Sequence, residues 1–304
     1  MQSLKLLFDY LIFPGFLFCA VAGLLATWVD RKVTARLQYR VGPPWFQPFA
    51  DIAKLLGKET IVPEGVSRSV FLGAPLVGLA GVTLVGTLLW LVSLNLGQTF
   101  VGDLIVVMYL LTLPSLAIII GGSASRNPLA AIGASREMKL ILAYELPFIL
   151  ACATVIFRTR ALQLGEIIGW QMANGPLFWS FSGFLAFAAA LFVIQAKLGA
   201  VPFDIPEAEQ EIAAGPIIEY SGPALAVIRL SRAMLYFILP LFLTVLFLGG
   251  FDAWFPAKYL AVLTLIILIK NTNPRLRIDH ALRFFWGPVT IAAAAGFILA
   301  LLGK

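Results

Sequence analysis

The sequence predicts an all-α polytopic membrane protein of about eight transmembrane helices, and three observations predict it. The chain has 304 residues, of which 60% are hydrophobic and only 12% charged, whereas a soluble domain carries about 25% charged residues. Its apolar residues fall in runs long enough to cross a hydrocarbon core of about 30 Å. Its charges fall almost entirely between those runs: of 22 basic and 16 acidic residues, only Glu145, Arg229, Arg232 and Lys258 lie inside them.

In chain order, residues 10–29, 70–96, 104–121, 177–196 and 284–302 are spans free of charge, while 140–157, 223–250 and 254–269 carry the four exceptions. The first span has no clear small-residue cleavage site, so it is expected to be retained as a helix and not removed as a signal. The connections 30–69, 122–139, 197–222 and 270–283, the first, third, fifth and seventh in order, together hold fifteen Lys and Arg residues, and the second and sixth are only several residues long. The opposite face has Lys5, Arg158, Arg160, Lys304 and, at a helix edge, Lys258. The positive-inside rule therefore places those four connections in the cytoplasm and both termini outside. The net charge of +6 thus has a topological explanation and calls for no nucleic-acid partner. With no repeat or hydrophilic extramembrane domain, residues 1–304 read as one multi-pass domain of the cell membrane. Its function is expected in the long cytoplasmic loops.

Several chemistries are excluded. Cys19 and Cys152 sit in apolar runs without CxxC spacing, and His280 is the only histidine, so the chain alone is not expected to build a metal, haem or iron-sulfur centre. Both cysteines read as small apolar helix residues. Gly57-Lys58 lacks the earlier glycine of a phosphate-binding loop, and no dinucleotide fingerprint, nucleophile elbow or HExxH is present, which argues against ATP-driven transport by this chain.

The connection 197–222 places Asp204, Glu207, Glu209, Glu211 and Glu219 within sixteen residues beside a single Lys197. If a helix starts at Asp204, then Asp204, Glu207 and Glu211 share one face and Glu209 points away. Carboxylates so crowded cannot all ionise freely and can pass protons near neutral pH; a solvated acidic loop is the alternative. Glu145 lies in an apolar run, where an ionised carboxylate costs about 2.5–3.5 kcal/mol or more. It is expected either to hold a proton on a transfer path or to make a structural hydrogen bond. Pro147 frees a backbone carbonyl one turn earlier, which invites water or a polar side chain. Arg229 and Arg232 fall one helical turn apart, as counter-ions for the loop or Glu145, or as residues that reach to the interface. Lys32, Arg36 and Arg40 form a basic stripe at i, i+4 and i+8, and residues 46–59 alternate as an interfacial amphipathic helix would.

With these residues in view, the chain resembles the subunit-1, or H-type, membrane subunit of respiratory complex I and its counterparts in energy-converting hydrogenases. The most specific match is Pro202-Phe-Asp-Ile-Pro-Glu-Ala-Glu-Gln-Glu with Glu219-Tyr-Ser-Gly, supported by Asp30-Arg-Lys, Arg40-Val-Gly-Pro, Gln47-Pro-Phe-Ala-Asp, Ala143-Tyr-Glu and Asn273-Pro-Arg-Leu-Arg-Ile-Asp. The resemblance implies a chain of carboxylates through Asp204, Glu207, Glu209, Glu211, Glu219 and Glu145, with Arg229 and Arg232 as counter-ions. It also implies a docking surface or chamber lining that includes Asp30, Arg31, Lys32, Arg36, Arg40, Asp51, Lys54, Arg136, Arg275, Arg277 and Asp279.

Two departures from the quinone-using members are visible. Residues 44–46 run directly where those members have about five more residues, and Arg232 stands where they usually carry an acidic residue. The shortened first loop and the Gly222-Pro-Ala-Leu-Ala-Val-Ile-Arg segment resemble the membrane-bound nickel-iron hydrogenase and ferredoxin-linked branch, in which the subunit binds no cofactor of its own and no quinone is required. The implied partners are hydrogenase-like large and small subunits, an iron-sulfur subunit, antiporter-like membrane subunits and the lipid bilayer. The implied function couples redox chemistry in the hydrophilic arm to proton or sodium movement. A quinone-binding subunit of an NADH:quinone oxidoreductase, a passive anchor and a free-standing transporter are the alternatives.

Overall fold

A bilayer offers backbone groups no hydrogen-bond partners, so a membrane segment satisfies them within a helix. The computed structural model describes residues 2–94 and 101–303, and no strand occurs among them. The helices are α1 (Gln2–Leu11), α2 (Phe16–Leu37), α3 (Gln47–Leu56), α4 (Arg68–Ser93), α5 (Asp103–Leu110), α6 (Leu113–Ala124), α7 (Pro128–Thr159), α8 (Leu164–Asn174), α9 (Phe181–Lys197), α10 (Glu209–Ile212), α11 (Gly222–Phe247), α12 (Phe255–Thr272), α13 (Ile278–Phe284) and α14 (Thr290–Leu301). Among the described residues seven segments are long and apolar enough to cross a membrane: Lys5–Leu37, Arg68–Ser93, Asp103–Ala124, Pro128–Thr159, Gly222–Phe247, Phe255–Thr272 and Ile278–Leu301. The remaining expected span is α9, apolar and 17 residues long. The end of the expected 70–96 span and Lys304 lie outside the described residues.

Several spans differ in detail from the reading of the sequence. The 104–121 run is two helices, α5 and α6, the second opening with a proline in its first turn, where a missing N–H costs nothing. The last span is likewise divided by a π-type turn, Phe285–Val289, in which Pro288 lacks a donor and Gly287 is non-helical. The 140–157 run is only part of α7, which starts at Pro128 and is capped by the Asn127 Oδ1, accepting from the Leu129 N–H at 2.8 Å. Arg136, Glu137 and Lys139 are therefore helical residues and not part of a loop. Hydroxyls inside these helices bond back to a carbonyl of their own helix, as Thr87 does to Thr83 at 2.8 Å and Thr244 to Pro240 at 2.9 Å.

The chain forms two compact units interleaved in sequence: Met1–Thr87 with Tyr109–Met138 and Asp204–Ile238, and Leu88–Met108 with Lys139–Phe203 and Leu239–Lys304. In the first unit, Tyr220 stacks on Phe71 with ring centroids 4.2 Å apart and donates to its carbonyl at 2.9 Å. Burial pushes the Tyr220 phenol pKa upward, so this hydroxyl stays a donor across the accessible pH range. Beside it, Ser221 accepts from the Ile61 N–H at 2.9 Å and donates to the Glu59 carbonyl at 3.3 Å. The first long connection is thereby tied to the end of the acidic one. In the second unit, α9 packs along α14. There the buried Gln171 donates to the Val245 carbonyl at 2.9 Å and accepts from the Gly249 N–H at 2.9 Å, pinning α8 to the end of α11.

Gly222 makes the tie in the first unit possible. Its φ is +54°, and a Cβ there would sit 2.4 Å from the Glu59 carbonyl oxygen. Gly222→Ala is expected to cost about 1–3 kcal/mol and to release residues 58–62. Faster backbone hydrogen exchange confined to that segment is the check.

Candidate functional site

The charged residues singled out in the sequence fall into separate constellations, each built within one unit. In the first unit, residues 204–208 form turns and only Glu209–Ile212 is helical, so the face-sharing helix expected from Asp204 does not exist. Ala213, Ala214 and Gly215 follow with φ of +47°, +78° and +51°, a left-handed run that ends the helix. Close packing holds the turn that follows: a Cβ on Gly133 would lie 2.4 Å from the Pro216 ring.

The result is that the acidic side chains are held by different partners, not in one row. Glu207 pairs directly with Arg232, both partly buried. Glu211 pairs with Arg136 at 2.7 Å, and Arg136 also donates to the Ile205 carbonyl at 3.4 Å. Glu219 accepts from Asn127 at 2.5 Å, on the residue that caps α7. Glu209 is exposed without an ion-pair partner among the described residues, and Asp204 is half-buried at the start of the turns. Of the two arginines, Arg232 is a counter-ion for the loop; Arg229 is exposed with no ion pair among the described residues. The charge of Glu137, which is 9% exposed, also acts on Arg232, as does that of Glu207. The buried Asp30 acts in turn on Tyr236, one turn further along α11. Sequence reasoning misses Glu137 because its basic neighbours Arg136 and Lys139 make the segment read as a connection; its helical position beside them is the available signal.

In the second unit, Glu145 accepts from the Lys197 ammonium at 3.1 Å, with side-chain exposures of 24% and 2%. The amine also lies 4.8 Å from the centre of the Tyr144 ring and 4.5 Å from that of Phe148. Aromatic faces stabilise a desolvated cation, and a carboxylate in a membrane helix requires a partner. The counter-ion of Glu145 is therefore Lys197, at the last turn of α9, and not either arginine. Phe285 closes edge-on against Tyr144 at 6.2 Å.

The expected docking residues are distributed as follows. Asp51 accepts from Arg31 at 2.7 Å and from Gln47 at 2.8 Å, holding the amphipathic α3 against the end of α2. Burial opposes its charge, but the hydrogen bonds from Arg31 and Gln47 and the charges of Arg31 and Lys54 outweigh this and hold its carboxyl below the usual carboxylate range. Because the folded value is depressed, this contact is complete at neutral pH and lost as acid carries the solution through that lowered value. Lys32 is half-buried and Arg36 and Lys54 are exposed. Arg40 leaves the basic stripe, since α2 ends at Leu37 and Tyr39 adopts φ +58°. In the other unit, the Leu276 N–H donates to the Pro202 carbonyl at 3.0 Å, Arg277 contacts Asp279 at 3.4 Å, and Arg275 is exposed.

Chemically, these are carboxylates held by cationic or amide partners, those of Glu145 and Glu207 partly buried at 24% and 28% exposure and that of Glu211 exposed at 59%. Comparison with known proteins gives the same pattern a context. A family model described as NADH dehydrogenase matches residues 10–301. The H-type subunit of the NADH-quinone oxidoreductase of Thermomicrobium roseum is 35% identical, covering 93% of this chain and 92% of that protein. The corresponding NADH-quinone oxidoreductase subunit of Dehalococcoides mccartyi strain CBDB1 is 33% identical, covering 88% of this chain and 79% of that protein. Among solved structures, a chain of a membrane-bound sulfane sulfur reductase, an archaeal respiratory membrane complex, is similar with TM-score 0.85 and 32% identity, covering 94% of this chain and 96% of that one.

Proposed function

The chain belongs to the NADH dehydrogenase family, as an H-type membrane subunit of a respiratory complex, and on that premise we propose that it couples redox chemistry in a docked hydrophilic arm to ion translocation. The arm in this reading is of the hydrogenase type, oxidising ferredoxin, with antiporter-like subunits alongside and both termini outside the cell. The chain supplies no redox centre. Its cytoplasmic loops receive the charge or conformational change of the arm, and its carboxylates convert that change into proton uptake and release.

The observation that carries this reading is the partnering of the carboxylates. Glu207 with Arg232 and Glu145 with Lys197 are partly buried ion pairs in which displacement of the cation leaves the carboxylate without its counter-charge. A small movement of a loop is enough to break such a contact. The hydrogenase branch is favoured over a quinone reductase by the direct run through residues 44–46 and by Arg232, whose guanidinium occupies the loop carboxylate. The similarity to a sulfur-reducing complex supports that branch, while the bacterial relatives belong to quinone oxidoreductases.

Glu207→Gln in the assembled complex is the test. It removes the charge that Arg232 holds while keeping size and hydrogen bonding. Electron transfer through the arm is expected to continue while ions moved per electron fall by about tenfold, within the usual range of coupling energies. Unchanged ion movement would support a passive anchor instead.

A further inference from the structure

The second unit contains a cavity of about 460 Å³ that plays no part in the carboxylate constellations. It lies where the end of α7, the turn after it and the end of α14 come together, and its lining includes Phe157, Arg158, Arg160, Leu162 and Leu301. Arg158 is half-buried and Arg160 exposed, and neither has an ion pair or side-chain hydrogen bond among the described residues. Phe157 is held edge-on by Phe297 at 5.3 Å, which fixes the apolar wall.

A basic residue in the last helical turn complements the negative end of the helix dipole. That accounts for Arg158, which stands in the last turn of α7. It does not account for Arg160, which lies past the helix end at φ +54°, nor for a cavity between the two helix ends. Two guanidinium groups beside such a space call for an anion, and planar guanidinium suits phosphate. The apolar wall at the end of two membrane-spanning helices calls for hydrocarbon. A free phosphate ion would satisfy the first demand and leave most of the volume and the whole apolar wall empty.

We propose that this cavity binds an anionic membrane phospholipid, its phosphate between Arg158 and Arg160 and the start of an acyl chain against Phe157, Leu162 and Leu301. The site sits at the end of α7 opposite to its first turn, so it would anchor the helix that carries Glu145 from the far side of the bilayer.

The test uses the intact complex purified in mild detergent, in wild-type form and as Arg158→Gln/Arg160→Gln, Arg158→Lys/Arg160→Lys and Lys5→Gln. Co-purified phospholipid is quantified by mass spectrometry, and thermal inactivation is followed with added anionic phospholipid, zwitterionic phospholipid or inorganic phosphate. The glutamine pair is expected to bind anionic lipid about fivefold more weakly for each arginine removed and to lose the protection that anionic lipid gives. The lysine pair and Lys5→Gln are expected to retain the lipid. Equal lipid retention in all forms would overturn the proposal. So would loss of lipid from the lysine and glutamine pairs alike, which indicates damage to the fold, or protection by inorganic phosphate equal to that by lipid, which indicates a simple anion site.

Discussion

Lys197→Met is expected to destabilise the protein by about 3–4 kcal/mol at neutral pH, and Lys197→Met combined with Glu145→Gln to recover the part of that loss that comes from the unpaired carboxylate. The single change keeps the length and apolar stem of the side chain but removes the ammonium, which is 2% exposed and 3.1 Å from Glu145. Removing one member of such a pair typically costs about 3–5 kcal/mol, because the other charge is left without compensation. Part of the cost is lost contact of the cation with the Tyr144 and Phe148 rings, about 1–2 kcal/mol, and this part is not recovered by Glu145→Gln. Thermal unfolding of the solubilised complex at pH 7, for both singles and the double, measures these quantities. A single variant as stable as wild type, or a double no better than the single, would remove the pair from the account.

The location of that pair shows what could and could not be read from the chain. The membrane spans were legible because hydrocarbon imposes a length and a composition that the sequence must display. The acidic patch and the lone Glu145 were legible because charge in an apolar context is conspicuous. Lys197 was visible only as one basic residue beside an acidic loop, since its partner lies 52 positions away and no local pattern records that distance. Glu137 was hidden for a different reason: charges at Arg136 and Lys139 broke the hydropathy of a helix that in fact begins at Pro128. A helix starting at Asp204 does not form because the backbone is non-helical at Ala208 (φ 0°, ψ 72°), and the helix that starts at Glu209 stops at the left-handed Ala213 and Ala214. Alanine gives no warning of these, as glycine or asparagine does.

The consequence for mechanism is a change in what makes the carboxylates responsive. Crowding alone implied mutual repulsion along a row. The structure instead gives Glu207, Glu211 and Glu145 their own cations and Glu219 its own amide. In the coupling role proposed above, proton exchange would depend on whether a partner is displaced, which a docked arm would control through loop position. Gly222 and Ser221, which tie residues 59–61 to the end of the acidic loop, provide a physical route for such control within the first unit.

Glu145→Gln tests this account most directly. Gln keeps the shape and can still accept from Lys197, whose ammonium also retains the Tyr144 and Phe148 rings, but it cannot take up or release a proton. Assembly of the variant complex is verified first, because the buried ammonium loses its counter-charge. In proteoliposomes that contain the assembled complex, driven by a low-potential electron donor, electron transfer should persist while protons or sodium ions moved per electron fall by about tenfold or more. A Glu145→Gln complex that moves as many ions per electron as the wild type would contradict the coupling role assigned to this chain.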